Sequence, residues 1–143
     1  LRPMDGIVPY RMEHCVTLEA TSNKPINQFW KDRLTDVLIG SVKADDGTLL
    51  HLSTEEYEHL FDWKRVCKEV KVIQPLFYVR QKDGRLKMQA VWAKSCRGAM
   101  VRFILNNRPV THEELSAFSY EGFEFAPQLG DENNPHFVRE NVK

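Results

Sequence analysis

The chain has 143 residues and a mass of 16.7 kDa, with 42% hydrophobic and 28% charged residues. This composition excludes general disorder, because a chain of this length and apolar content can bury a core without disulfides or metals. Its formal net charge is zero, which argues against a protein whose whole surface binds nucleic acid or anionic lipid. No uncharged stretch approaches the roughly twenty residues that span a bilayer. We therefore predict one domain over residues 1–143 and no membrane partner.

Charge is distributed unevenly along the chain. Residues 1–112 carry 18 basic and 13 acidic side chains, whereas residues 113–143 carry 2 basic and 7 acidic ones. Within the basic part, one cluster contains no acidic residue. It consists of Lys94, Arg97, Arg102 and Arg108. Such a run is typical either of a solvated helix face or of a local anion-binding surface.

The chain begins at Leu1 without an initiator methionine, and we expect it to be a fragment of a longer protein. Cys15, Cys67 and Cys96 are odd in number and widely spaced, with no Cys-x-x-Cys pair. This pattern predicts reduced thiols in a cytoplasmic protein. The five histidines show no ligand spacing, so we predict neither a metal site nor a cofactor.

Hydrophobic periodicity predicts the elements of the first half of the chain. Apolar residues at helical spacing predict an amphipathic helix over residues 26–42. A short strand is predicted over 48–52. The sequence of residues 53–56 then predicts a capping box, in which Ser53 caps the next helix and Glu56 reaches back to it.

The second half combines a hairpin with further helices. Residues 70–80 and 86–92 are rich in β-branched and aromatic side chains, and the Asp-Gly step between them predicts an antiparallel hairpin. A helix is predicted over 94–107, and a second capping box follows at 111–114. Residues 120–125 alternate like an edge strand. The class is α/β (or α+β), a single mixed domain with a β-hairpin and several amphipathic helices.

The predicted helix over 94–107 places its apolar residues on one face and Lys94, Arg97 and Gly98 on the other. Cations near a helix start oppose the helix dipole, and together with the free N–H groups there they form a local anion trap. Gly98 is explained equally by close packing of a neighbouring helix or by close approach of a ligand. An anion site is therefore one of two interpretations of this face.

Several blocks of the chain match one known family in the same order. Residues 93–108 are similar to its Ala-Lys-x-Ala-Arg-Gly-x-Met-x-Arg segment, and residues 1–13 to its Leu-Arg-Pro-Leu-Asp and Pro-Tyr-Arg-Leu-Glu motifs. Residues 28–32 resemble its Gln-Phe-Trp-Gly-Asp. Further matches occur at Leu52, Glu56, Tyr57, Phe118, Gly122 and Phe125. The chain thus resembles the YaaA family of peroxide-stress proteins, without that family's N-terminal part and with His51 where the family usually has Asn.

The resemblance implies a cytoplasmic protein with an α/β fold that limits oxidative damage linked to free iron and binds double-stranded DNA through a basic cleft. It favours the anion-binding interpretation of residues 94–108. The predicted DNA- or anion-binding residues are Arg11, Lys94, Arg97, Arg102 and Arg108. The predicted acidic residues of the same cleft are Glu13 and Glu56.

Two alternatives stay open. In the first, the cleft belongs to an enzyme acting on an anionic or phosphorylated small molecule, which Arg11, Lys94 and Arg97 hold. Glu13 or Glu56 then acts as the acid or base. In the second, the fragment has only a structural or interaction role, and Arg11 and Glu13 form a plain ion pair on one strand face.

Overall fold

The structure is a computed structural model that describes residues 17, 19, 22–108 and 111–140. Its helices are α1 (Ile26–Ala44), α2 (Glu55–Glu58), α3 (Trp63–Glu69), α4 (Ala90–Asn107) and α5 (His112–Ser116). Its strands are β1 (Thr48–Leu50), β2 (Lys71–Ile73), β3 (Leu76–Arg80), β4 (Leu86–Lys87), β5 (Phe123–Gly130) and β6 (Pro135–Glu140). None of the described helices is both long and apolar enough to cross a membrane.

The described strands form two sheets. β1 and β2 pair in parallel, with Leu49 opposite Val72. The second sheet has the order β4-β3-β6-β5, in which β3 and β6 are parallel and the two outer strands are antiparallel to their neighbours. Helices interspersed with these sheets confirm the predicted α/β class. That residues 1–143 form one domain stays a prediction.

The first half confirms the long helix and corrects the first capping box. The helix predicted over 26–42 is α1, which extends to Ala44. The capping box predicted at 53–56 is wrong, because Thr54 occupies the N-cap position, no side chain caps it, and α2 is a single turn. The Ser53 hydroxyl lies instead 3.3 Å from Nδ1 of His51.

The predicted hairpin is confirmed at β3 and β4, where Arg80 pairs with Leu86, but its strands are shorter than predicted. Residues 70–80 contain two strands of different sheets, β2 and β3, separated by Gln74 and Pro75. Proline cannot donate to a strand ladder, which explains the break. β4 ends at Lys87, and α4 begins three residues later, so residues 88–92 are wrongly predicted as strand.

Two of the C-terminal elements are predicted from local signals, and one is not. The second capping box is confirmed, since Thr111 Oγ1 accepts from Glu114 N at 3.1 Å and Glu114 Oε2 accepts from Thr111 N at 3.0 Å. The strand predicted over 120–125 is β5, which begins at Phe123 and does lie at a sheet edge. β6, in the middle of the same sheet, was not predicted.

Two apolar clusters hold these layers together. The larger consists of Phe77, Val79, Cys96, Met100, Leu115, Phe118, Phe123 and Phe137. The smaller consists of Ile39, Val42, Val66 and Val70. Along β1, Leu49 packs on the smaller cluster and Leu50 on the larger one. The two-stranded parallel sheet is therefore covered on both faces, as parallel sheets require.

Candidate nucleic-acid interface

Helix α4 is held in place by its apolar face. Ala93, Cys96 and Met100 are buried on it, and the last two belong to the larger cluster. Their spacing of three and four residues forms one stripe of an α-helix. The opposite face, which carries Lys94 and Arg102, is exposed, and no acidic residue occurs anywhere in the helix. The predicted division of this helix into core and cationic faces is confirmed.

The position of the helix start corrects the predicted anion trap. α4 begins at Ala90, so Lys94 is its fifth residue and Arg97 its eighth. Ala93 N already donates to the Gln89 carbonyl at 2.9 Å, which leaves free N–H groups only in the turn before Lys94. The predicted helix start at Lys94 is therefore wrong, whereas anion binding by Lys94 and Arg97 stays a prediction. Anion binding on this helix has to depend on the side chains.

The four predicted cations of α4 and its C-cap differ in exposure. Lys94 and Arg102 are exposed, and Arg97 is half-buried. At 100° per residue these three lie within an arc of about 140°. Arg108 is exposed at the C-cap in a left-handed conformation, with φ of 47°, where a cation complements the helix dipole. The structure thus brings the first three together, with Arg108 beyond the last turn.

Several cations elsewhere are neutralised by carboxylates. Arg65 lies 2.7 Å from both Asp36 Oδ1 and Glu69 Oε1, and Lys43 lies 2.7 Å from Glu69 Oε2. In the part of the chain that the structure describes, none of the four α4 cations pairs with a carboxylate. None of the described carboxylates therefore neutralises their charge.

A cavity of about 560 Å³ lies beside Arg102. α4 contributes Ser95, Gly98 and Arg102 to its lining, and the segment after α5 contributes Ser119 and Tyr120. A Cβ atom at Gly98 meets nothing within 4 Å, so close packing against described residues does not explain this glycine. Sequence reasoning missed the polar groups at 119 and 120, because no local signal places them beside α4.

Of the other predicted site residues, the structure describes only Glu56. Glu56 is exposed on α2 and does not line the cavity beside Arg102. Arg11 and Glu13 lie outside the described residues. A cleft shared by Arg11, Glu13, Lys94 and Arg97 therefore stays a prediction.

The two described thiols are unsuited to direct reaction with peroxide. Burial raises the pKa of Cys96 to about 11. The pKa of Cys67 is also raised, first by desolvation and then by the charge of Glu58. Since the thiolate is the reactive form, both are protonated at neutral pH. Among the described residues, no group of three or more His, Cys, Asp or Glu side chains is placed to hold a metal ion.

Comparison with known proteins identifies the family. A family model described as peroxide stress protein YaaA matches residues 1–129. A UPF0246 protein of Bacteroides thetaiotaomicron is 45% identical over 138 residues, and one of Bacteroides fragilis is 48% identical over 138 residues, in each case 96% of this chain and 53% of the relative. A UPF0246 protein of Porphyromonas gingivalis is 46% identical over 140 residues, 98% of this chain and 55% of the relative.

The chain therefore spans about half the length of these curated relatives. The family match nevertheless covers its first 129 residues, including β1 to β4 and all five helices. This chain belongs to the YaaA family of peroxide stress proteins.

Proposed function

We propose that this chain acts in the cytoplasmic response to peroxide by binding double-stranded DNA without sequence preference, and that it thereby limits iron-dependent oxidative damage. The observation that carries the proposal is the cationic face of α4, whose side chains pair with none of the described carboxylates. The description of the matching family supports the link to peroxide stress. The protonated state of the two described thiols favours protection by binding over direct peroxide reduction.

The dimensions of the cationic face suit a DNA backbone. Arg108 is fourteen positions after Lys94, which corresponds to about 21 Å along a helix axis. One DNA strand carries a charge for every 3.4 Å of duplex axis, so about six phosphates of one strand lie within that length. Four side chains can therefore reach phosphates of one duplex. Phosphate contacts position a protein without reading its sequence.

Counterion release gives a physical route from binding to protection. DNA carries a condensed layer of cations, and each Lys or Arg that neutralises a phosphate releases some of them. Ferrous ions in that layer are displaced with the rest. Peroxide then reacts with iron away from the DNA, and the radicals formed attack the duplex less often.

The experiment is a salt series of fluorescence anisotropy on a labelled duplex of random sequence. Each neutralised phosphate contributes about −0.9 to the slope of log K against log salt. Replacing Lys94 and Arg102 with alanine should therefore make the slope shallower by about two and weaken all sequences alike. A plasmid-nicking assay with ferrous iron and peroxide should show less protection by the same variant.

The matched control is Lys64→Ala with Lys68→Ala on α3. Both lysines are exposed and form no ion pair in the structure as described. Replacing them removes the same total charge as replacing Lys94 and Arg102. We expect this control to retain the salt slope and the protection of the unmodified chain. An affinity that does not depend on salt, or equal losses in both double variants, would overturn the proposed interface.

The cavity beside Arg102 supports a second candidate, an enzyme acting on an anionic or phosphorylated small molecule. Its lining combines Arg102 with the hydroxyl groups of Ser95, Ser119 and Tyr120. Gly98, which also lines the cavity, has no side chain to fill it. Pyrophosphate should then raise the melting temperature of the chain, and Arg102→Ala should abolish the shift. Pyrophosphate stabilisation without duplex binding would favour this candidate over the DNA interface.

A further inference from the structure

A polar cluster that DNA binding does not use lies directly after β1. His51 N donates to the Ile73 carbonyl at 2.8 Å, which continues the β1–β2 pairing by one residue. In an extended segment, alternate side chains point to the same face. His51 and Ser53 are accordingly neighbours, with Ser53 Oγ 3.3 Å from His51 Nδ1.

The second ring nitrogen of His51 faces a carboxylate. His51 Nε2 lies 2.9 Å from Glu58 Oε1, and the two side chains are 7% and 18% exposed. An ionised carboxylate only accepts hydrogen bonds, so the proton of a neutral ring is on Nε2. Nδ1 is then left with a free lone pair, and the Ser53 hydroxyl donates to it. This is the order of nucleophile, base and orienting acid found in serine hydrolases.

Packing fixes this arrangement. The rings of His51 and Trp63 have centroids 4.8 Å apart, tilted by 48°, and His51 is one of the few buried polar residues of the described chain. Ser53 is not occupied as a helix cap, because Thr54 holds that position. The Ser53–His51 distance is longer than a tight hydrogen bond, as is common in such pairs before substrate binds.

A small cavity opens onto the cluster. It has a volume of about 220 Å³. Besides His51, Ser53 and Glu58, its lining is mainly apolar and consists of Leu38, Leu49, Leu50, Leu52, Tyr57, Phe61 and Trp63. The volume is below the 300–1,000 Å³ of typical ligand pockets. An uncharged substrate with a short apolar group therefore fits best.

We propose that Ser53, His51 and Glu58 form a catalytic triad that hydrolyses small esters with a short apolar acyl group. Ser53 Oγ attacks the ester carbonyl carbon and passes its proton to His51 Nδ1. The resulting imidazolium, stabilised by Glu58, returns that proton to the departing alkoxide as the ester C–O bond breaks. Water then attacks the acyl-serine with His51 again as base, which releases the carboxylic acid and restores Ser53.

The test is hydrolysis of p-nitrophenyl butyrate by the 143-residue chain. Ser53→Ala should lower kcat/KM at least a hundredfold, since base-assisted attack contributes about 10²–10⁴ in rate. Glu58→Gln should lower it at least tenfold. The matched control is Ser41→Ala, at an exposed position of α1 outside this cavity, and it should keep the full rate.

Covalent labelling makes the result independent of turnover. A fluorophosphonate should add one adduct at Ser53, detected by intact mass and peptide mapping, and Ser53→Ala should not be labelled although its melting temperature is unchanged. A rate equal to the enzyme-free blank, or a rate that Ser53→Ala retains, would overturn the triad. DNA binding should be the same in Ser53→Ala and the unmodified chain, so failure of either proposal leaves the other standing.

Discussion

The two apolar clusters of the molecule are built from different side chains. The larger is aromatic, and Phe137 lies at its centre, with ring centroids 5.5 Å from Phe77, 5.5 Å from Phe118 and 5.7 Å from Phe125. The smaller cluster is aliphatic, and polar contacts supplement it. Thr35 Oγ1, for example, donates to the Lys31 carbonyl and accepts from Asp62 N.

The charged and polar side chains beside the two clusters also differ in position. The aromatic cluster fills the space beneath α4, so the charged groups of that region lie on the outer surface of the helix. The aliphatic cluster is smaller, and beside it lie a cavity and the partly buried His51–Glu58 pair. The charged groups beside the larger cluster are thus at the surface, whereas the polar groups beside the smaller one line a cavity.

The largest expected effect tests the aromatic cluster. Phe137 is fully buried, and Phe137→Ala should lower the free energy of unfolding by about 3–5 kcal/mol, because it removes a ring and leaves a cavity. Urea denaturation measures the change. Leu105→Ala is the control, since Leu105 is 71% exposed on α4, and a surface substitution there should change the free energy by less than about 0.5 kcal/mol.

The aliphatic cluster should be less sensitive. Val66 is fully buried at its centre, and Val66→Ala removes two methyl groups, for a loss of about 2 kcal/mol. The same denaturation series gives the comparison. A loss equal to that of Phe137→Ala would show that the small cluster is the true centre of stability.

We expect a smaller loss of stability when the capping box of α5 is removed. This helix positions Leu115 and Phe118 of the aromatic cluster. Thr111→Ala leaves the Glu114 N–H without its acceptor and should lower the free energy of unfolding by about 1 kcal/mol. Thr111→Ser keeps the acceptor and should restore most of the loss. Equal losses in both variants would assign the effect to the methyl group.

The smallest change in stability is expected when the ion pairs of Glu69, beside the aliphatic cluster, are removed. Hydrogen bonds from Lys43 and then Arg65 hold the pKa of Glu69 below its ordinary value of 4.5. A lowered carboxyl pKa stabilises the fold above the unfolded value, and that stability is lost as pH falls through the folded pKa. Glu69→Gln should therefore reduce the melting temperature slightly at pH 7. The difference should shrink as pH falls below 4.5 and vanish once the pH is below the lowered pKa of folded Glu69.

High salt should also shrink that difference, because exposed ion pairs are screened. The control is Glu113→Gln, at an exposed position without an ion pair in the described structure. A Glu69→Gln effect that persists in acid would mean that packing of the side chain, rather than its charge, matters.

The elements predicted correctly from the sequence are those with local signals. The periodicity of α1 and the capping box at Thr111 need no tertiary information. The start of α4 was missed because Val91 and Trp92 favour strands by propensity, whereas burial of Ala93 and Cys96 on the same helix overrides that preference. The central β6 carries a proline, a histidine and two charged residues in six positions, and gave no clear strand pattern.

The candidate sites divide in the same way. The cation cluster of α4 was predictable because the sequence contains no acid between Lys94 and Arg108. The His51–Ser53–Glu58 cluster was not, since Ser53 also satisfies a capping pattern and the single turn of α2 brings Glu58 into reach. Tertiary pairing of β1 with residues more than twenty positions later holds His51 in place.

The burial of sulfur beneath α4 has a consequence for durability. Cys96 and Met100, which anchor the helix, are both completely buried, and the high pKa of Cys96 keeps its sulfur in the unreactive thiol form. Oxidation of either residue would place a polar group in the core and loosen the helix. Burial of these two sulfur atoms therefore protects the packing of α4 from an oxidant in solution.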